Sequence, residues 1–334
     1  MTVSRRRFLQ LSTFASASLF IPSFLTSIAS LGNSTNKKLI ILQLTGGNDG
    51  LNTVIPYRND IYYKSRPTIA IQRNAVLPLT DEAGLHPALQ HLGTMYHNGY
   101  LSIVNNVGYA NSYRSHHKSL NVWHTASTTS LDGVWIARYI RQQQGLGKAA
   151  LTFQTDPCVA LTGPETVRNL TGAPPDMELG EKLRVIAAAI NSEENEQVFF
   201  VAHGGYDTHV HQLSNQALRL SELDLALHTL VFELKKTDQF QNTMILVYSE
   251  FGRRVAENGL GGTDHGTANN VFLISGSLRQ PGLYNPLPSL TDLDDGDLKH
   301  TIDFRQIYAT ILDRWLKASS EHVLRGNYPS LAIV

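Results

Sequence analysis

Five stretches of this chain are apolar at successive positions, the pattern of strands buried on both faces inside a parallel sheet. The first, Lys37 to Thr45, reads Lys-Lys-Leu-Ile-Ile-Leu-Gln-Leu-Thr and stops at Gly46-Gly47. The others are Leu101 to Val107, Gln197 to Ala202, Thr243 to Ser249 and Asn270 to Ile274. Helical patterns lie between them. His86-Pro87 opens one, with Pro87 suited to a first turn and Leu89 and Leu92 facing inward. Asp176 to Ala189 forms another. The longest predicted helix runs from Gln212 to Lys236, where Leu213, Ala217, Leu220, Leu223, Leu227, Leu230 and Leu234 recur at steps of three and four. A last one, Phe304 to Leu316, carries Ile307, Ile311, Leu312 and Trp315. Strands alternating with helices predict a doubly wound α/β domain whose mostly parallel sheet is covered on both sides. The Pro- and Asp-rich stretch from Gln280 to Asp297 reads as a surface loop.

The first residues follow a different rule. Ser4-Arg5-Arg6-Arg7-Phe8-Leu9-Gln10 sets paired arginines before an apolar pair, and a moderately hydrophobic stretch runs on to Ala29. Serines, threonines and Pro22 interrupt that stretch, so it lacks the continuous apolar run of a stable membrane span. Small residues around Ser27-Ile28-Ala29 offer a cleavage site, with no cysteine nearby to accept a lipid. Residues 1–29 are therefore expected to be a twin-arginine signal handled by the Tat translocase, and residues 30–36 a polar linker. Residues 37–334 form the expected single domain, periplasmic or secreted, with no permanent membrane anchor. The competing reading keeps a basic N-terminal helix on the domain.

Loss of the three arginines in residues 1–29 leaves 25 of the 28 basic residues against 28 acidic ones. A slightly acidic surface gives nucleic acid nothing to bind. Cys158 is the only cysteine, which excludes an internal disulfide.

Acids and histidines flanked by glycines stand just after the predicted strands. Gly46-Gly47-Asn48-Asp49-Gly50-Leu51-Asn52 follows the first, and His203-Gly204-Gly205-Tyr206-Asp207-Thr208-His209-Val210-His211 follows the third. Glu250-Phe251-Gly252-Arg253 follows the fourth and leads into Gly261-Gly262-Thr263-Asp264-His265-Gly266. The carboxyl ends of strands in an open α/β sheet form one rim where ligands bind, so these loops are expected to meet. Asp49, Asp207 with His209 or His211, Glu250 and His265 would then supply oxygen and nitrogen ligands for one or two divalent ions. That imidazole content suits Zn²⁺ or Mn²⁺ better than Mg²⁺ or Ca²⁺. Each loop alone also has a structural reading: Asp49 as a helix cap, Asp207-Thr208-His209 as a cap for the long helix.

Asn111-Ser112-Tyr113-Arg114-Ser115-His116-His117 follows the second strand. Ser115 could attack an ester, with His116 or His117 binding the ion or moving a proton, unless Ser115 merely caps a helix that carries Leu120, Val122 and Trp123. Asn48, Arg114 and Arg253 are the candidate contacts to anionic oxygens. The first glycine loop lacks the Gly-x-Gly-x-x-Gly spacing of a dinucleotide site.

These motifs, in this order, resemble a bacterial family catalogued as domain of unknown function fifteen-oh-one, grouped with the alkaline phosphatase and sulfatase superfamily. Tyr113-Arg114-Ser115-His116, Tyr206-Asp207-Thr208-His209, Ser249-Glu250-Phe251-Gly252-Arg253, Gly262-Thr263-Asp264-His265-Gly266 and Asp303-Phe304-Arg305-Gln306-Ile307-Tyr308 carry the resemblance, which spans nearly the whole chain. It implies an alkaline-phosphatase-like fold with a two-metal hydrolase site. By position, it casts Asp49 as the first-strand ligand, Asp207 with His209 or His211 as the second pair, and Glu250 with His265 as the last; Asp264, next to His265, is a further candidate ligand. Phe251 stands where alkaline phosphatases carry the histidine of an Asp-His pair, so one metal position lacks a ligand or is absent. Asp156-Pro157-Cys158-Val159-Ala160 is not the Cys-x-Pro-x-Arg segment of formylglycine sulfatases. The expected function is an exported metal-dependent hydrolase of phosphate or sulfate esters, with Ser115 or an ion-activated water as nucleophile. The alternative is a non-catalytic envelope protein of the same fold that binds a glycan or a protein partner.

Overall fold

The computed structural model describes residues 36–129, 133–143, 150–152, 167–169, 177–192 and 196–334. The expected signal, all of the linker but Asn36, and Cys158 lie outside them. Residues 37–334 form one unit.

Along the chain the strands are β1 (Lys38–Leu44), β2 (Val54–Ile55), β3 (Leu77–Pro78), β4 (Gly84–Leu85), β5 (Leu101–Gly108), β6 (Ala150–Thr152) and β7 (Val167–Asn169). They continue with β8 (Val198–His203), β9 (Thr243–Ser249), β10 (Asn269–Ile274), β11 (Gly282–Leu283), β12 (Leu293–Asp294), β13 (Asp297–Leu298) and β14 (Ile302–Asp303). The α-helices are α1 (Gly50–Thr53), α2 (Asp60–Ser65), α3 (Gln90–His97), α4 (His116–Thr125), α5 (Trp135–Gln142), α6 (Leu179–Asn191), α7 (Gln212–Lys235), α8 (Phe304–Thr310) and α9 (Ser320–Leu324). All five strands and all four helices expected from the pattern are present, with ends shifted by a few residues, except that the last is α-helical only to Thr310 and continues as a π-helix over Ile311–Trp315.

The main sheet runs β11-β5-β10-β9-β1-β8-β6-β7, with β14 also on β5. β1 lies at its centre, parallel to β8 and β9, and every residue of it is buried. Successive side chains point to opposite faces. Leu39 and Ile41 pack with Trp123 of α4, Trp135 of α5 and Phe304 and Tyr308 of α8. Ile40, Leu42 and Leu44 pack with Leu183 and Ile186 of α6 and Leu220, Leu223 and Leu227 of α7. Two helical layers cover the sheet, as a doubly wound α/β fold requires.

Two details depart from the pattern. β10 is antiparallel to both β9 and β5, because the chain returns directly from the rim where β9 ends instead of crossing over. Its first residue, Asn269, therefore stands on that same rim. Leu213 is 41% exposed rather than inward, since the inward positions of the first turns of α7 are Gln212 and Gln216, both buried and bonded to the Asp49 loop. Within the expected surface loop, β12 and β13 form a small hairpin whose turn residues, Asp295 and Gly296, both have positive φ, the geometry an Asp-Gly pair favours.

Among the described residues, no helix is long and apolar enough to cross a membrane.

Candidate metal centre

Three loops on the carboxyl rim meet because glycine lets their backbones touch. A Cβ on Gly46, after β1, would lie 2.4 Å from the amide nitrogen of Asp207, after β8, and Gly46 itself has φ +120°. A Cβ on Gly262 would lie 2.3 Å from the backbone of His209. Only glycine permits either approach.

Helix α4 brings the fourth group. His116, Ser119 and Trp123 recur at helical spacing on one face. Trp123 stacks on Tyr248 of β9 with ring centroids 4.6 Å apart, and Ser119 Oγ donates to the Glu250 carbonyl at 2.6 Å. Together they seat His116 Nδ1 2.8 Å from Glu250 Oε1.

The result is a cluster around Asp207. His209 Nε2 and His265 Nε2 each lie 3.0 Å from Asp207 Oδ1, and His116 Nε2 lies 3.5 Å from Asp207 Oδ2. Ligand atoms of His116, Asp207 and His265 all fall within 4.8 Å of one another, a possible His/Asp metal site. Each ring is fixed from behind through Nδ1: His116 by Glu250, His265 by the Arg114 carbonyl at 2.8 Å, His209 by Asp264 Oδ1 at 3.3 Å. A carbonyl or carboxylate oxygen can only accept, so each Nδ1 has an acceptor behind it, and all three Nε2 atoms turn inward toward Asp207.

Charge in the cluster is held by buried groups. Burial pushes Asp207 upward, but hydrogen bonds from Arg253 and His265 outweigh it and hold its carboxyl at about 2. The hydrogen bond to Glu250 raises His116 against the opposing effect of burial. Asn258, then His209, lowers Asp264.

Several residues expected at the site are built in elsewhere. Asp49 is buried, and its carboxylate takes four donors: the amides of Leu51 and Asn52, Arg66 Nη1 at 2.6 Å and Gln212 Nε2 at 2.5 Å. Those fill its acceptor sites and leave none for a cation, which corrects its assignment as a ligand. Glu250 is wholly buried and accepts from Gly46 N, His116 and Ser249 Oγ, so it orients a ligand instead of being one. His211 starts α7 with φ 49° and is exposed, and no ring contact joins it to the cluster; His209 is the histidine that does.

The expected anion contacts are also engaged within the protein. Arg253 donates to the carbonyls of Gly46, Gly47, Tyr206 and Thr263 and to Asp207 Oδ1 at 2.6 Å, tying the rim loops together. Arg114 pairs with the buried Asp297. Asn48 is held by Thr53, Gln216 and Ser249. Ser115 is the N-cap of α4 but makes no side-chain cap bond, and it is exposed. Arg66, Gln212 and Asn258 were not singled out from sequence, because nothing local marks an arginine or an amide as the partner of a distant acid.

Fold and site together define an α/β protein with a histidine-rich, single-carboxylate cluster on the carboxyl rim of its sheet. The model of the family described as protein of unknown function, DUF1501, matches residues 136–326, and the chain belongs to that family. No curated protein matches the sequence. Among solved structures, the lipoteichoic acid synthase LtaP from Listeria monocytogenes is similar at 12% identity and TM-score 0.46, over 76% of this chain and 69% of that one. The C-terminal periplasmic domain of EcEptC from Escherichia coli is similar at 13% identity and TM-score 0.48, over 85% and 83%. A protein in the alkaline phosphatase superfamily from Vibrio parahaemolyticus is similar at 13% identity and TM-score 0.41, over 73% and 61%. At these values the likeness bears on neither substrate nor residue roles.

Proposed function

We propose that this protein is an exported hydrolase of phosphate or sulfate esters that works with one divalent cation, Zn²⁺ or Mn²⁺, held by His116, Asp207, His209 and His265. The observation that carries the reading is the shared direction of the three imidazoles. Each has Nδ1 fixed by an oxygen, and the buried His116 Nε2 has no hydrogen-bond partner. Three nitrogens and a carboxylate are a donor set that suits Zn²⁺. With Asp49 and Glu250 committed elsewhere, a second ion has no ligands from this set.

A cation in this position supplies Lewis acidity toward a non-bridging ester oxygen. The chain's own groups do the rest. Glu250, Asp264 and the Arg114 carbonyl hold the rings in one orientation, and Arg253 holds Asp207. Ser115, exposed at the N-cap of α4 and immediately before His116 in the chain, offers a hydroxyl free of capping as nucleophile, and the first-turn amides of that helix favour an anion. Export by the Tat translocase is part of the proposal and rests on residues 1–29.

The test is elemental analysis of purified protein beside an Asp207→Ala, His265→Ala double variant, then a screen of phosphate, sulfate and phosphonate esters with Zn²⁺, Mn²⁺ or Ca²⁺. Bound metal near one per chain in the parent only, with turnover abolished by chelator, is expected. Equal, negligible metal in both ends the proposal. One observation favours a second reading, the non-catalytic envelope protein: Asn48, Arg114 and Arg253 are all engaged within the protein. Metal without turnover on any ester would support it.

A further inference from the structure

A cleft of about 560 Å³ opens beside the metal centre, between the segment that leads into α4 and the β12–β13 hairpin. Its lining includes Tyr113, Arg114, Thr267, Asp294 and His300. It adjoins the centre through the backbone: the Arg114 carbonyl accepts from His265 Nδ1, and Thr267 lies two residues beyond His265.

The chemistry of the cleft is distinctive. Tyr113 is 39% exposed, one of few large apolar side chains left open among the described residues. The two cations in its lining are paired, Arg114 with Asp297 and Lys299 with Asp292, and Lys118 Nζ lies 5.5 Å from the centroid of the Tyr113 ring, against one face of it. The side chains of Asn111, Asp294 and His300 make no hydrogen bond or ion pair among the described residues. An amide, a carboxylate and an imidazole therefore offer donors and acceptors around an aromatic face, with no surplus positive charge in the lining. A polyanion finds no counter-charge there, and an acyl chain would strand those polar groups. A ring with one apolar face and hydroxyls at its edge satisfies both.

We infer that this cleft binds a neutral saccharide unit, stacked on Tyr113 and hydrogen-bonded by Asn111, Asp294 and His300. The inference deepens the proposed function, on which it rests only in taking the substrate's ester to lie at His265 while its sugar occupies the cleft. Sugar binding itself does not need the cation.

The experiment is saturation-transfer NMR of the full protein with cellohexaose, laminarihexaose and chitohexaose, followed by titration of any that bind. At least one should bind, and Tyr113→Ala should weaken it roughly tenfold while leaving bound metal unchanged. His300→Ala, which keeps the Cβ packed over Gly108, is a second variant expected to weaken binding in the same direction. Failure of all three sugars, or parent-like affinity in both variants, overturns the inference. Repeating the titration on Asp207→Ala separates the two readings: sugar binding without metal leaves the cleft assignment standing, and metal without sugar binding removes it alone.

Discussion

The Nε2 atoms of His209 and His265 lie 3.0 Å apart, and Nδ1 of each ring faces an oxygen acceptor. Two lone pairs at that distance repel unless a proton or a cation lies between them. Asp207 Oδ1, 3.0 Å from both, supplies the negative charge that either would need. The cluster is organised around a positive centre, and its supporting residues can be tested as such.

Glu250 orients His116 without touching the ion position. Glu250→Gln weakens that support and should lower Zn²⁺ affinity about 10- to 100-fold, measured by competition with a chromophoric chelator. Unchanged affinity would show that the buried carboxylate serves only Gly46 and Ser249.

Asp49 is expected to matter for stability alone. Asp49→Ala leaves the fully buried Arg66 without its carboxylate, at a cost of about 3–5 kcal/mol in urea unfolding, and should leave metal content intact. Loss of metal from the still-folded variant would restore Asp49 as a ligand.

Gly46 and Gly204 provide a matched pair. An added Cβ at Gly46 collides with the Asp207 loop, whereas one at Gly204 meets nothing within 4 Å. Gly46→Ala should displace Asp207 and weaken metal binding, and Gly204→Ala should not. Similar affinities in both variants would mean that the loop contact does not position the carboxylate.

His86 gives the pH dependence of stability. Burial lowers it from 6.5 to about 4, partly offset by Asp49, and its Nδ1 accepts from Ala88 N, which requires the neutral ring. Between pH 6.5 and 4 the unfolded chain takes up a proton that the folded one refuses. Stability from this group is thus complete above pH 6.5 and lost as pH falls toward 4, by about 3 kcal/mol. His86→Asn should flatten that slope in urea titrations at pH 7 and 4.5; an unchanged slope would assign the acid sensitivity elsewhere.

Export is tested at Arg5 and Arg6. With both changed to lysine, the precursor should accumulate in the cytoplasm of a host with a Tat system, by fractionation and immunoblot. Normal release of the double variant would reject the twin-arginine reading.

The sequence by itself determined the layered architecture. Runs such as Lys38–Leu44 are apolar at every position, and only burial on both faces of a sheet accommodates that. It also set the rim as the place for chemistry, since the glycines, acids and histidines fall just beyond the strand ends. Tertiary structure alone decided which of those residues form the centre. Asp49 and Asp207 both follow a strand, but Asp49 is claimed by Arg66 and by Gln212, 163 residues away, whereas Asp207 faces three imidazoles. His209 and His211 differ by one turn of backbone, the left-handed φ at His211 that begins α7. Whether an acid becomes a ligand, a cap or half of an ion pair depends on what else is within about 3 Å of it, and that is fixed by packing between distant segments, which no local pattern encodes.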